Sequence, residues 1–317
     1  MHLKRQWWSG LVAIGLSGLV GVTAVAAAGA QFLPVLSARE GATRFVGIPL
    51  ANGYIDYLTL LNERDGGIHG VQLVWEECET VFDVDRGVAC YEHLKAKGPT
   101  GAAVVLPRGT AMTYALTERA THDQIPLLTP GYGRTDAADG RVFPYVFIAP
   151  TTYPSQNTAI IRFIGQQAGG MEQLKGRKIV YVYQDNEAGR EPLPILDLQA
   201  AQYGFAVQPL PVQQPGLDQR ATWLRVQVAQ PDWVLLGTFG VMTTTALKAA
   251  AQVGFPRHKI VGNSASCSEQ DVVPAGEAAI GYMCSLWYGI GTDFPVIQEI
   301  LTSVYGRGKG ADRKSVV

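Results

Sequence analysis

The sequence lacks the motifs that most readily identify an enzyme or a nucleic-acid-binding protein. Its 317 residues contain no H-E-x-x-H, G-x-S-x-G or P-loop pattern, which are the signatures of metalloproteases, serine hydrolases and nucleotide-binding proteins. The 5 histidines are scattered along the chain. The formal net charge is -1, which gives no long-range attraction for nucleic acid. We therefore expect no catalytic residues, no cofactor, no metal and no bound nucleic acid.

Long apolar runs are also absent, except at the start of the chain. Lys4 and Arg5 precede an apolar run over 11–25, and small residues follow at 26–30. This order predicts a signal peptide over 1–30, cleaved near Ala30. A retained membrane anchor is the alternative, because the run is nearly long enough to span a bilayer. No cysteine follows the run, which argues against a lipid anchor, so we expect an exported protein without stable membrane insertion.

Cysteines are few, and none of them forms a C-x-x-C pair, which argues against a zinc ribbon or a redox motif. An even count in an exported protein indicates disulfides, and four cysteines allow three connectivities. The spacing favours Cys78–Cys90 and Cys267–Cys284. Free buried thiols are the alternative, and they suit the second pair better than the first.

The last six residues, 312–317, read DRKSVV. A common sequencing adapter encodes the same six residues before a stop. We therefore expect a non-native tail over 312–317 and a native protein that continues beyond Ala311. A natural basic tail is the alternative.

Short apolar runs alternate with amphipathic stretches from Phe32 onward, which predicts an α/β fold with parallel sheets flanked by helices. Strands are expected at 32–37, 102–106, 178–183, 233–237 and 279–287, among others. The rhythm restarts after 149–154, which indicates a crossover between two lobes. In open sheets of this kind, ligands bind outside the carboxyl ends of the strands, so a site between the lobes is expected.

Several segments together resemble the type I periplasmic solute-binding proteins of the branched-chain (hydrophobic) amino acid ABC uptake systems. They are LLNERDGGIHG at 60–70, the strand at 178–183 followed by Asp185 and Gly189, PDWVL at 231–235 and AGEAAIGY at 275–282. The resemblance runs from about Phe32 to Gly310. Segments 75–80, 131–140 and 238–242 are similar to a divergent subgroup.

The resemblance implies two doubly wound, Rossmann-like lobes joined by a multi-strand hinge. Lobe one would comprise 31–149 and 286–311, with its remainder missing, and lobe two would comprise 150–285. A Leu/Ile/Val-binding-like protein of this kind acts in the periplasm as a monomer, and it has ABC permease and ATPase subunits as partners.

The resemblance also points to the ligand loops of lobe one. The loop after its third strand corresponds to 107–111, where Thr110 keeps a hydroxyl but Gly109 replaces the usual serine. The next loop corresponds to 129–132. The acidic residue that would hold an α-amino group near 263–266 is absent, so aromatic or short-chain carboxylates suit the site at least as well as amino acids.

Candidate site residues are those that fit an organic anion at strand ends. Arginines can pair with a carboxylate in a bidentate manner, hydroxyls can donate to it, aromatic rings can form a wall, and glycines allow close backbone approach. The candidates are Arg39, Arg108, Gly109, Thr110, Thr129, Gly131, Tyr132, Phe239 and Ser264.

The favoured hypothesis is a protein that closes two lobes around a small organic solute and releases it unchanged. Two alternatives stay open. The chain could be a ligand-sensing module for a signalling partner, or a periplasmic enzyme on a doubly wound scaffold, and the missing reactive cluster argues against the second.

Overall fold

The computed structural model describes residues 29–306. The predicted signal peptide, apart from residues 29 and 30, and the predicted tail over 312–317 lie outside this range.

Two pairs of parallel strands build the first sheet. Its order is β2, β1, residues 102–105, β3, β4, because residues 102–105 connect the two pairs through isolated bridges to β1 and β3. The strands are β1 (Gln31–Ser37), β2 (Leu73–Glu79), β3 (Leu127–Pro130) and β4 (Val146–Ala149). The helices of this half are α1 (Arg44–Asp65), α2 (Val84–Leu94) and α3 (Thr110–Asp123).

A five-stranded parallel sheet builds the second half, in the order β6-β5-β7-β8-β9. Its strands are β5 (Lys178–Gln184), β6 (Ala206–Val212), β7 (Trp233–Gly237), β8 (Ile260–Gly262) and β9 (Met283–Cys284). The helices are α4 (Tyr153–Ala168), α5 (Glu187–Arg190), α6 (Leu193–Tyr203), α7 (Arg220–Ala229), α8 (Val241–Gln252) and α9 (Glu269–Val272), and α10 (Pro295–Glu299) follows near the end of the described chain.

Each sheet is covered by apolar residues on both faces, as a parallel sheet requires. Along β5, Val180 and Val182 face a core that includes α7 and α8, whereas Ile179 and Tyr181 face a core that includes α4 and α6. The period of two follows from the pleat of the strand. The first sheet has the same layout, with α2 and α3 on one face and α1 on the other. The described chain therefore contains two α/β units. The first unit is built on β1–β4 with α1–α3, and the second unit is built on β5–β9 with α4–α9.

The strands predicted at 32–37, 178–183 and 233–237 are confirmed as β1, β5 and β7. The strand predicted at 102–106 forms only isolated bridges, although the amides of Ala103 and Val105 donate to the flanking strands. The strand predicted at 279–287 is wrong over most of its length. Only β9 is extended and paired there, because Gly281 adopts a φ of 88° and interrupts the chain. The strand β4 was not predicted.

The two predicted disulfides are confirmed. Cys78 bonds to Cys90, and Cys267 bonds to Cys284. Cys78 lies near the end of β2 and Cys90 lies in α2, so this bond joins the strand to the helix that follows it. Between residues 29 and 306, no helix is both long and apolar enough to cross a membrane.

Candidate functional site

A cavity of about 420 Å³ lies where the two units meet. The first unit contributes β1, α1 and the loops after residues 102–106 and after β3, and the second unit contributes the loops after β7 and β8. These loops follow the carboxyl ends of parallel strands, which is where open α/β sheets bind ligands. Five of the nine predicted site residues line the cavity: Arg108, Gly131, Tyr132, Phe239 and Ser264.

Arg108 is the cationic side chain in this lining. Its Nε is buried without a hydrogen-bond partner, and no carboxylate in residues 29–306 forms an ion pair with it. Burial lowers the pKa of Arg108 from its ordinary value, and the negative charge of Glu79 opposes that effect only in part. The guanidinium nevertheless keeps its charge at neutral pH. The cavity thus presents a positive charge with unused donor capacity.

The rest of the lining is mainly apolar and rich in aromatic rings. Trp287 and Tyr288 meet edge to face, with ring centroids 5.0 Å apart. Gly131, with a φ of 74°, makes room for this pair, because a Cβ there would lie 2.4 Å from the Trp287 indole nitrogen. Burial raises the pKa of Tyr54 to about 12, so its hydroxyl stays neutral. The walls are Leu36, Leu50, Tyr54, Tyr132, Phe239 and Trp287.

The remaining predicted residues lie outside the lining. Arg39 bonds to Glu77 and to Asn52, with 2.8 Å between its Nη1 and the Asn52 Oδ1. Thr129 is fully buried, and its hydroxyl donates to the carbonyl of Phe147 at 3.4 Å. The guanidinium of Arg39 and the hydroxyl of Thr129 therefore already have partners within the protein.

Thr110 and Gly109 mark the start of α3. The Thr110 hydroxyl lies 3.0 Å from the Tyr153 hydroxyl, and it accepts from the amide of Gly133 at 3.4 Å. Gly109 adopts a φ of 106°, a conformation that favours glycine. The two residues support the loop that carries Arg108.

Two side chains that the sequence analysis missed join the units. Gln156 is buried, donates to the carbonyl of Gly131 at 2.7 Å, and accepts from the Ser264 hydroxyl at 2.7 Å. Glu191 accepts from the Tyr114 hydroxyl and from the amide of Thr135, the latter at 3.1 Å. The partners of Gln156 are far away in the sequence and gave no local signal. Only its position, directly after the predicted crossover, could have indicated a role between the units.

A buried carboxylate lies behind the loop that carries Phe239. Asp271 accepts from the amide of Gly240 at 2.9 Å, and the Thr244 hydroxyl donates to the Asp271 carbonyl at 2.5 Å. Burial raises the pKa of Asp271 to about 7, although the hydrogen bond from Gly240 acts in the opposite direction. The sequence did not indicate this residue.

A second groove, of about 590 Å³, lies elsewhere along the contact between the units. Tyr114, Glu191 and Leu198 are among its lining residues, and none of the predicted site residues is. Its one arginine, Arg190, is paired with Asp185 at 2.5 Å. The cavity with Arg108 is therefore the better candidate for an anion site, although it is the smaller one.

The chain is similar to several solved structures. A crystal structure from the Pseudomonas fluorescens group, described as an ABC transporter permease, has 43% sequence identity and a TM-score of 0.81, and the match covers 88% of this chain and 68% of that one. A branched-chain amino acid ABC transporter protein from Thermus thermophilus with bound valine has 22% identity and a TM-score of 0.74, with coverages of 86% and 70%.

A third structure contains an aromatic acid. The solute-binding protein of an ABC transporter from Rhodopseudomonas palustris BisB5, in complex with 3,4-dihydroxybenzoic acid, has 15% identity and a TM-score of 0.65, with coverages of 79% of this chain and 66% of that one. At such identities the likeness shows the fold alone. No curated protein matches the chain.

The family model described as "Periplasmic binding protein" matches residues 31–312. That match covers most of the chain, and the 43% identical structure agrees with it. The predicted fold class is confirmed, and the chain belongs to the periplasmic binding protein family, with the type I α/β fold.

Proposed function

We propose that this protein is the substrate-binding component of an ABC importer and that it captures a small apolar or aromatic carboxylate between its two units. The predicted export would place it in the periplasm. Its partners would be the permease and ATPase subunits, and the ligand would be released unchanged. The units would correspond to the predicted lobes, 31–149 with 286–311, and 150–285.

Arg108 is the observation that carries this proposal. Arg108 is half-buried, its Nε has no hydrogen-bond partner and no carboxylate of the described chain pairs with it, so part of its hydration is lost without a compensating bond. A ligand carboxylate would supply the missing charge and could accept two parallel N–H bonds from the guanidinium. The apolar walls would strengthen that pairing by excluding water. An anion is thus the ligand charge that the cavity stabilises.

The lining also bears on whether the ligand is an amino acid. None of the lining residues between 29 and 306 is an aspartate or glutamate. An α-ammonium group buried there would lose its hydration without gaining a counter-charge. This favours simple acids over zwitterions, and the aromatic walls favour acids with a ring. Related folds hold valine in one protein and 3,4-dihydroxybenzoic acid in another.

Isothermal titration calorimetry with matched ligands tests this proposal. We expect 3,4-dihydroxybenzoate to bind, its primary amide to bind about 10-fold more weakly or worse, because a charge-assisted bond is lost, and L-valine to bind more weakly than the acid. Chromatography of the recovered ligand should return the acid unchanged. Binding of valine in preference to the acid, equal binding of acid and amide, or conversion of the acid would contradict the proposal.

A further inference from the structure

The loop that follows β2 has an unusual backbone. Val81 and Phe82 have φ values of 54° and 59°, so two successive residues adopt the left-handed conformation. Branched and bulky side chains rarely do so, because Cβ crowds the backbone. Such a conformation persists only where the surrounding structure imposes it, and it is found often at ligand clamps.

A network anchored on Glu79 imposes this conformation. Its carboxylate accepts from the amides of Val81 and Arg39, each at 2.7 Å, and from the Ser37 hydroxyl at 3.1 Å. These hydrogen bonds lower the pKa of Glu79, although burial acts to raise it. The Cys78–Cys90 disulfide holds the end of the same strand. The loop is therefore fixed to β1, β2 and α2.

The loop presents Phe82 to the other unit. Its ring stacks on Phe239, with centroids 5.8 Å apart and an interplanar angle of 21°. On another side it packs on Gly109, where a Cβ would lie 3.0 Å from the ring. Phe239 itself lines the cavity that contains Arg108. The aromatic pair thus joins the two units directly beside the candidate ligand site.

A carboxylate also holds the loop that carries Phe239. Phe239 precedes Gly240, whose φ is 64° and whose amide donates to the buried Asp271. Both rings are thus carried on loops whose backbone amides bind an acidic side chain, Glu79 in the first unit and Asp271 in the second. The backbone on both sides of the contact is therefore held in place, so the position of the two rings is fixed by both units.

We propose that Phe82 and Phe239 form an aromatic gate that keeps the two units together at the cavity and that must part for a ligand to enter or leave. Glu79 is a positioning residue, because it acts on the gate through the backbone of Val81 and Phe82. The proposed function is needed only for the identity of the ligand that passes the gate. Its effect on the contact between the units needs no ligand.

Pulsed electron–electron double resonance on the ligand-free protein tests the gate. Spin labels at Arg141→Cys and Val228→Cys would report the distance between the units, because both positions are exposed and all four native cysteines are in disulfides. Phe82→Ala and Phe239→Ala should each raise the ratio of open to closed molecules roughly 2- to 10-fold, the range expected for an aromatic pair. The double variant should add little to either single change.

Control variants separate the gate from a general loss of packing. Phe45→Ala removes an exposed ring that lies against the guanidinium of the neighbouring Arg44, and it should leave the distances unchanged. Phe82→Tyr keeps the ring and should behave as wild type. Glu79→Ala should open the units, Glu79→Gln should restore part of the closed population, and Glu79→Ala should add nothing in the Phe82→Ala background.

Circular dichroism would first establish that each variant folds, with Phe82→Leu as the substitute if Phe82→Ala does not. Wild-type distances in Phe82→Ala or Phe82→Leu, additive effects of the two ring deletions, or an equal effect of Phe45→Ala would overturn the gate. Because no ligand is used, the gate can hold even if the titrations with 3,4-dihydroxybenzoate fail, and it can fail even if they succeed.

Discussion

Arg39 and Arg108 both stand at strand ends in the sequence, yet the structure gives them different surroundings. Arg39 has Glu77 and Asn52 as partners, whereas Arg108 lines the cavity without a carboxylate partner in the described chain. The sequence could propose both, because residue type and strand-end position are local properties. Which arginine is already paired depends on Glu77, which is 38 residues away from Arg39.

This difference predicts opposite outcomes for the two arginines. Arg108→Gln should weaken binding of 3,4-dihydroxybenzoate about 10- to 100-fold, since a charge-assisted pair is lost. Arg39→Gln should change affinity less than about 2-fold, because Arg39 lies outside the cavity lining and its pair with Glu77 is partly exposed. Calorimetric titration of both variants checks the prediction. Equal losses in the two would contradict it.

Asp271 should make stability depend on pH. Its folded pKa is about 7 against an ordinary 3.8, so between these values the folded protein binds a proton that the unfolded chain has released. Its contribution is complete at low pH and is lost as pH rises from about 4 through 7. Asp271→Asn keeps an oxygen acceptor for Gly240 and cannot ionise.

We therefore expect Asp271→Asn to gain stability relative to wild type as the pH rises. Urea unfolding at pH 4.5 and at pH 8 would measure the difference in the free energy of unfolding. Tyr282, whose pKa is raised by burial and by the charge of Asp271, stays neutral throughout this range. The same difference at both pH values would show that the ionisation of Asp271 does not matter.

At the scale of elements, the predictions succeeded where a strand is a buried apolar run. The central strands β5 and β7 have this character and were found close to their true bounds. The strand prediction for segment 279–287 was wrong because its apolar residues do not reveal the left-handed turn at Gly281. The short β4 was missed because a run of four apolar residues is too short to show the period of a strand.

The Cys78–Cys90 bond joins two of these elements, and its loss should weaken the first unit. The bond closes a short loop, and such loops contribute about 3 kcal/mol through the entropy of the unfolded chain. Replacing both cysteines by serine should therefore lower the urea midpoint by a corresponding amount. Replacing Cys267 and Cys284 by serine in the same way shows whether the loss of stability is specific to the bond beside the loop that carries Phe82. Only the first pair should also raise the open population in the spin-label measurement.

At the scale of the whole molecule, the contact between the units could not be predicted. Gln156 meets Gly131 and Ser264, which lie 25 residues before it and 108 residues after it. No local pattern in the sequence specifies such a meeting. The cavity between two lobes and five of its lining residues were expected from the sequence, but Tyr54, Trp287 and Tyr288 were added to the lining only by the three-dimensional arrangement.

Gln156→Leu should loosen the contact between the units. It leaves the buried Gly131 carbonyl without its partner, at a cost of about 1–3 kcal/mol, and it also removes the partner of the half-exposed Ser264 hydroxyl. Differential scanning calorimetry should show a lower unfolding temperature. Gln167→Leu is the matched control, because that residue is exposed on the same helix. A similar loss in both variants would mean that the helix, and not the bridge, is affected.

A crystal structure of the complex with 3,4-dihydroxybenzoate tests the central claim most directly. The account predicts one ligand between the two units, with its carboxylate oxygens about 3 Å from the Arg108 guanidinium nitrogens and its ring against the aromatic walls. A ligand held in the groove beside Leu198, or a carboxylate turned away from an Arg108 that remains unpaired, would contradict it.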